Sequence, residues 1–160
     1  MRFRQKIQAL PWRAGSLTNA LWVRLGTALT TRVIHVVAGT LLRDGQILIA
    51  QRPPGKHMAG GWEFPGGKLA VAETPRAGLL RELQEELGIQ ALSCEPVATC
   101  THDYPDRCVF LDLWLVTQFD GEPQSLDGQA LRWVSIDELP TAGLLPADEP
   151  LISELVKRLV

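Results

Sequence analysis

Residues 67–89 read GKLAVAETPRAGLLRELQEELGI, and this stretch carries the clearest helix signals of the chain. Thr74 is a favoured N-cap residue, Pro75 suits the first helical position, and Gly88 is a common helix terminator. The three signals together predict a helix from about Thr74 to Leu87. Any fold of this chain has to bury one side of that helix.

The predicted helix has an acidic side and an apolar side. At 100° per residue, Glu82, Glu85 and Glu86 lie within one stripe. The roughly opposite side carries Leu80, Leu83 and Leu87. Like charges at this spacing cost only roughly 0.2–0.5 kcal/mol in water, so a solvated acidic surface explains the stripe as well as a functional site does.

The residues before the helix favour a functional site. Pro65-Gly66-Gly67 lets the backbone approach another backbone or a ligand closely, and Glu73 adds a carboxylate ahead of the helix. Two carboxylates about 5 Å apart repel by roughly 3 kcal/mol at an effective dielectric near 20. A partly buried acidic cluster is therefore expected to bind a cation or to contain a carboxyl with a raised pKa. Hard oxygen ligands of this kind suit Mg²⁺ or Mn²⁺.

Strand patterns on both sides of the helix define the rest of the fold. VIHVVAGTLL (33–42) and ILIAQR (47–52) flank RDGQ, which is typical of a tight hairpin turn around Asp44-Gly45. PVATCTHDY (96–104) and CVFLDLWLVTQF (108–119) predict two more strands. LRWVSIDELP (131–140) predicts a strand with a short helical turn, and EPLISELVKRLV (149–160) predicts a closing amphipathic helix. We expect an α/β fold, more narrowly α+β, with a mixed β-sheet in a helix-sheet-helix sandwich.

Charge is divided unevenly along the 160 residues. The net charge is −2, but residues 1–32 contain six of the 16 bases and none of the 18 acids, so the remainder has a balance of −8. An acidic globular part argues against a duplex-binding surface and for small, cation-bridged ligands. We therefore expect a basic N-terminal extension (1–31) followed by one domain (32–160). We also expect the protein to be a monomer and not to bind duplex nucleic acid.

The N-terminal extension allows several interpretations. Leu17, Leu21 and Leu25 recur every four residues near Arg13 and Arg24, a spacing that permits a short basic amphipathic helix. The Arg-rich, acid-free composition is also typical of an organellar presequence, and a loose tail or an overextended reading frame explains it equally well. No stretch has the about 18 uncharged residues of a membrane span.

The three cysteines predict neither a disulfide framework nor a zinc site. Cys94, Cys100 and Cys108 are odd in number, lie among apolar residues and lack a C-x-x-C spacing. The three histidines of the chain form no ligand cluster with them. We expect buried free thiols and a cytoplasmic location, because the cytoplasm keeps thiols reduced.

Residues 67–89 also match a longer pattern, G-x5-E-x7-R-E-U-x-E-E-x-G-U with U an apolar residue, at every fixed position. This pattern is the Nudix box, so the chain resembles the Nudix hydrolases. Four more segments are similar to the MutT branch, the 8-oxo-dGTP diphosphatases that sanitise the nucleotide pool: HMAGGWEFPGGK (57–68), YPDR (104–107), FDGEP (119–123) and LPADEPLI (145–152). The resemblance covers residues 33–160 and implies a Nudix-type sandwich that acts on phosphoric anhydride bonds.

The resemblance implies a metal site and a catalytic group on the predicted helix. The implied ligands of Mg²⁺, with Mn²⁺ as an alternative, are the carbonyl of Gly66 and the side chains of Glu82, Glu85, Glu86 and Asp127. Glu82 is expected to act as the general base, and Arg81 to orient the box by pairing with Glu73. MutT enzymes usually have glutamate in place of Asp127, and an Asp-Gly turn also explains that residue. Attack at the β-phosphorus would release the nucleoside monophosphate and pyrophosphate.

The resemblance also implies a set of residues that surround the nucleotide. They are Arg52, His57, Glu63, Phe64, Pro65, Gly66, Arg107 and Asp148. The MutT pattern has asparagine in place of Asp148; an ionised aspartate only accepts hydrogen bonds, and it could instead cap the last helix. Nudix enzymes for modified pyrimidine triphosphates such as 5-substituted dCTP share the PAD-x-P segment and are an alternative. A catalytically silent nucleotide sensor is a further alternative, which the intact box disfavours.

Overall fold

The computed structural model describes residues 6–8 and 33–159 of the chain. The elements in these residues are β1 (Lys6–Gln8), β2 (Val33–Arg43), β3 (Gln46–Gln51), β4 (Trp62–Glu63), β5 (Gly66–Lys68), α1 (Pro75–Leu87), β6 (Gln90–Tyr104), β7 (Arg107–Asp120), β8 (Leu131–Ser135), a 3₁₀ helix (Ile136–Thr141) and α2 (Glu149–Leu159). The predicted caps of α1 are confirmed: the Thr74 hydroxyl accepts from Ala77 N–H, and Gly88 has φ 70°.

The strands form one mixed sheet. Hydrogen-bonded neighbours run in the order β1-β6-β7-β2-β3-β4, with β5 beside β2 and β8 beside β3. β2 and β7 are parallel, with Val33 opposite Cys108, whereas the other pairs are antiparallel. The predicted β2–β3 hairpin is confirmed, and both Asp44 and Gly45 have the positive φ that a type I′ turn requires.

The two α-helices pack against opposite faces of this sheet. Successive residues of a strand point to opposite faces, and Val37 packs in a cluster with α1 whereas Ala38 packs in a cluster with α2. The α1 side is centred on Leu79, Leu83 and Leu87, all fully buried. The predicted helix-sheet-helix sandwich is thereby confirmed, with one correction. Leu79 takes a central position that the sequence assigns to Leu80, which is only half-buried at the edge of the cluster.

Several strand boundaries differ from the sequence-based expectation. β6 begins at Gln90 rather than at Pro96, and its pairing with β7 shifts register between Ala91 and Ser93 and again near Pro96. Such bulges interrupt the period-2 alternation by which a strand is recognised. β1, β4 and β5 are only two or three residues long, too short to show a pattern.

The basic N-terminal extension contributes an edge strand. β1 pairs with β6, with Lys6 opposite Thr101 and Gln8 opposite Thr99. The amphipathic helix predicted around residues 17–25 lies outside the described residues. Within those that are described, no helix is long and apolar enough to cross a membrane.

We expect a chain that lacks residues 1–31 to keep its activity and to melt within a few degrees of the full chain. Every predicted site residue lies at position 52 or beyond, and losing a three-residue edge pairing should cost about 1 kcal/mol of unfolding free energy. Thermal melting and turnover of both chains measure this. A loss of 10 °C or more would instead show that the extension is an integral part of the fold.

Candidate active site

A cleft of about 250 Å³ brings most of the predicted site residues together. Its lining includes Arg52, His57, Glu63, Phe64, Pro65, Gly66, Glu86, Arg107, Asp127 and Asp148. The other predicted residues, Glu73, Arg81, Glu82 and Glu85, form a hydrogen-bonded group at α1. The two groups adjoin each other at Gly67, which lines the cleft and lies directly against the Glu82 carboxylate.

Arg81 is the centre of the group at α1. Its Nε and Nη2 donate to the two carboxylate oxygens of Glu73, both at 2.9 Å. Its Nη1 donates to Glu82 at 2.9 Å and to Glu85 at 3.0 Å, and Nη2 also donates to the carbonyl of Lys68 at 3.1 Å. The fork geometry of a guanidinium suits such bidentate contacts. One side chain therefore fixes Glu73, the end of β5 and two of the helix carboxylates.

Glu73 is held in its ionised form. The Arg81 hydrogen bonds, followed by the Ala70 N–H at 2.9 Å, lower the pKa of Glu73 from 4.5 to about 2. Hydrogen bonds to a carboxylate favour its charged form, and the positive charge of Arg81 acts in the same direction. The predicted pairing of Arg81 with Glu73 is thus present and electrostatically strong.

Glu86 stands on the cleft side of α1. Its pKa is raised from 4.5 to about 7, mainly by burial and in addition by the negative charges of Glu82, Glu63 and Asp127. The Gly66 N–H, which donates to Glu86 Oε2 at 3.2 Å, acts in the opposite direction. This end of the cleft therefore carries more negative charge than its own donors compensate, which favours a cation.

Two glycines let β5 lie close to β2 and to the Glu82 carboxylate. A Cβ at Gly66, where φ is 151°, would lie 2.1 Å from the carbonyl oxygen of Val37. A Cβ at Gly67 would lie 2.3 Å from Glu82 Oε2. No larger residue fits either position without displacing β2 or the Glu82 carboxylate. The close backbone approach expected at Pro65-Gly66-Gly67 is therefore present, and it occurs where β5 pairs with β2.

The predicted metal ligands fit a hard divalent cation but are not assembled around one. Among the described residues, no three His, Cys, Asp or Glu side chains converge in a preformed metal cage. Arg81 holds Glu82 and Glu85, whereas Glu86 and Asp127 line the cleft. Carboxylates and a carbonyl are nevertheless the donors that Mg²⁺ and Mn²⁺ prefer, and the pKa of Glu86 is raised first by burial and then by the neighbouring carboxylates Glu82, Glu63 and Asp127.

Asp148 lies at the other side of the cleft, almost completely buried. Its Oδ1 accepts from the Phe64 N–H at 3.4 Å. Burial and, after it, the charge of Glu63 raise the pKa of Asp148 well above its usual range. A neutral carboxyl both donates and accepts hydrogen bonds. In this environment a protonated Asp148 can both donate and accept hydrogen bonds, as the asparagine of the MutT pattern does and an ionised aspartate does not.

The predicted arginines carry positive charge to the cleft. Arg52 donates from Nη1 to Glu63 at 2.5 Å, and its Nε–H is buried without a partner among the described residues, which leaves a donor for a ligand. Burial raises the pKa of Glu63, and Arg52 opposes that shift. Arg107 pairs instead with Asp106 on the rim, with Nε donating at 3.0 Å.

Sequence reasoning did not identify several residues of the cleft. Lys56, Lys68 and Tyr104 line it, and the edge of the His57 ring packs against Tyr104 with 5.1 Å between ring centroids. Lys68 and Tyr104 lie within the MutT-like segments, so the resemblance could have indicated that they line the cleft. Gln129 also lines the cleft, but no motif singles it out.

The fold and the geometry of the Nudix box are those of the Nudix hydrolases, and sequence comparison assigns the chain to the same family. The chain belongs to the NUDIX family, since a profile of the NUDIX domain matches residues 36–154. A CTP pyrophosphohydrolase of Escherichia coli is 46% identical over 121 residues, covering 76% of this chain and 90% of that protein. An 8-oxo-dGTP diphosphatase of E. coli is 40% identical over 127 residues, covering 79% and 98%. The solution structure of the E. coli ORF135 protein superposes with a TM-score of 0.73 at 41% identity, covering 84% and 96%.

Proposed function

We propose that this protein is a Mg²⁺-dependent pyrophosphohydrolase that cleaves 8-oxo-dGTP, and 8-oxo-GTP, to the monophosphate and pyrophosphate, and so protects DNA replication from oxidised precursors. The observation that carries the proposal is the single cleft that joins Gly66, Glu86 and Asp127 to Phe64 and Asp148. One end attracts a cation and the other offers hydrogen bonds to a base. NUDIX hydrolases generally need a divalent metal, and relatives named 8-oxo-dGTP diphosphatase support the choice of substrate.

The chain's own residues divide the proposed reaction between them. Glu82 accepts the proton of the attacking water, and Arg81 holds its carboxylate in place. Mg²⁺ or Mn²⁺ would be held by Glu82, Glu85, Glu86, Asp127 and the carbonyl of Gly66, where it would neutralise phosphate charge and acidify a water. Arg52 and Arg107 contribute positive charge and hydrogen bonds to the nucleotide.

A competition assay tests the substrate. With millimolar Mg²⁺ we expect kcat/KM for 8-oxo-dGTP to exceed that for 5-substituted dCTP by about tenfold, the effect of roughly one well-made hydrogen bond. A preference for the pyrimidine would support the alternative, which the relative named CTP pyrophosphohydrolase favours. Failure to cleave any nucleoside triphosphate would reject the proposal that the protein is an enzyme and would favour the alternative of a catalytically silent nucleotide sensor.

We also propose a cytoplasmic location. Cys94, Cys100 and Cys108 are free, as the sequence predicts, but only Cys100 and Cys108 are buried, whereas Cys94 is partly exposed. Burial raises the pKa of Cys108 to about 12. The Cys108 thiol therefore stays protonated, and free thiols suit a reducing compartment. A monomeric state and the lack of a duplex nucleic acid partner stay predictions, as does the division between extension (1–31) and domain (32–160).

A further inference from the structure

The segment between β7 and β8 is fastened to the C-terminal end of α1. The Gln124 N–H donates to the carbonyl of Leu87 at 2.9 Å, and the Leu126 N–H donates to the carbonyl of Glu86 at 3.1 Å. The last carbonyls of a helix have no partner within the helix. This segment therefore caps the same turn of α1 that presents Glu86 to the cleft.

Gln129 adds a side-chain link between the segment and the helix. Its Nε2 donates to the carbonyl of Glu86 at 3.1 Å, and its Oε1 accepts from the Asp127 N–H at 3.0 Å and from the Ser125 hydroxyl at 3.2 Å. Only 5% of Gln129 is exposed. One buried amide thus connects the backbones of Glu86 and Asp127, the two acidic residues that line the same end of the cleft.

The residue types explain why such a link is needed. Asp127 is exposed and is followed by Gly128 in a left-handed turn, so its own surroundings do little to restrict it. A carboxamide can donate and accept at once, which neither a carboxylate nor an apolar side chain can do. A residue that served only to fill the core would not need all three hydrogen bonds.

We propose that Gln129 is a positioning residue that holds Asp127 beside Glu86 at the cation end of the cleft. The inference rests on the proposed function, because it assigns Asp127 to the metal. Hydrogen-bonding partners of metal ligands typically change metal affinity by about 10- to 100-fold when they are removed. Gln129 acts in this way through the Asp127 backbone rather than by touching the substrate.

The test is to measure Mn²⁺ binding to the full chain without nucleotide, with electron paramagnetic resonance as the method of detection. We expect Gln129→Leu to bind Mn²⁺ about tenfold more weakly and to need about tenfold more Mg²⁺ for half-maximal hydrolysis, with KM for nucleotide at saturating Mg²⁺ unchanged. Asp127→Asn should show a loss of similar size. The double variant should lose little more than either single variant, because both changes act through one group.

Two further variants separate positioning from folding. Ser125→Ala removes one hydrogen bond from the same amide oxygen but leaves Asp127 bound, so its Mn²⁺ affinity should stay within about twofold of the wild type. Gln129→Glu keeps the acceptor for the Asp127 N–H but loses the donor to the Glu86 carbonyl, so its Mn²⁺ affinity should lie between those of Ser125→Ala and Gln129→Leu. If Gln129→Leu does not fold, Gln129→Met gives the same comparison.

The outcomes distinguish this inference from the proposed function. A wild-type protein that binds Mn²⁺ but cleaves no nucleotide rejects the proposed function, and the Mn²⁺ series still decides the role of Gln129. An active enzyme in which Gln129→Leu keeps its Mn²⁺ affinity overturns the inference alone. Additive losses in the double variant, a Gln129→Glu variant that binds Mn²⁺ as tightly as the wild type, or a wild type that binds no Mn²⁺ would also overturn it.

Discussion

Glu82→Gln is expected to lower kcat by about 10³-fold while the protein still melts within a few degrees of the wild type. Glutamine keeps the size of the side chain that lies against Gly67 and keeps an oxygen for Arg81. It loses both the proton-accepting carboxylate and a charge at the proposed cation site. General base catalysis alone is typically worth about 10²- to 10⁴-fold. Steady-state kinetics and thermal melting of the purified variant measure the two effects.

Glu95→Gln is the matched control. Glu95 forms a surface ion pair with Arg158 at 3.0 Å and is half exposed, so its substitution should leave kcat unchanged. Glu86→Gln tests the competing assignment of the base, because a pKa of about 7 also suits proton transfer at neutral pH. Near-normal turnover of Glu82→Gln would remove Glu82 from the base role, and a large loss in Glu86→Gln alone would transfer the role to Glu86.

Local signals explain why the box helix could be predicted. Thr74, Pro75 and Gly88 act within one or two turns of the residues they cap, so the bounds of α1 follow from the sequence. The Arg81–Glu73 pair could be expected because the family pattern keeps their spacing, and the structure adds the hydrogen bonds to Glu82 and Glu85. These contacts lie close together along the chain.

Long-range contacts explain what the sequence does not show. The bond from Gln129 to the Glu86 carbonyl spans 43 residues, and that from Phe64 to Asp148 spans 84. Neither leaves a periodic pattern in the sequence. The burial that changes the chemistry of Asp148 likewise comes from elements distant in the chain. Residue types in a motif can therefore suggest a site, whereas their protonation and positioning depend on tertiary structure.

Arg81→Ala should cause a large loss of stability as well as of activity. The change leaves the carboxylates of Glu73 and Glu82, 14% and 13% exposed, without their charged partner. We expect the free energy of unfolding to fall by about 2 kcal/mol, less than the about 3–5 kcal/mol of a fully buried pair, because one third of the Arg81 side chain is exposed. Urea denaturation at pH 7 measures this. Arg158→Ala, which breaks only the surface pair with Glu95, should cost less than about 1 kcal/mol.

The pH dependence shows whether the loss of stability in Arg81→Ala comes from the ion pair. The folded-state pKa of Glu73 is lowered from 4.5 to about 2, so its stabilisation is fully present above about pH 4.5 and is lost as the pH falls toward 2. The difference in unfolding free energy between wild type and Arg81→Ala should therefore be constant from pH 7 to pH 5 and shrink below pH 4.5. Arg81→Lys should lie between the two, because an ammonium cannot reproduce the bidentate contact. A difference that persists unchanged at pH 3 would assign the contribution of Arg81 to packing of its aliphatic stem instead.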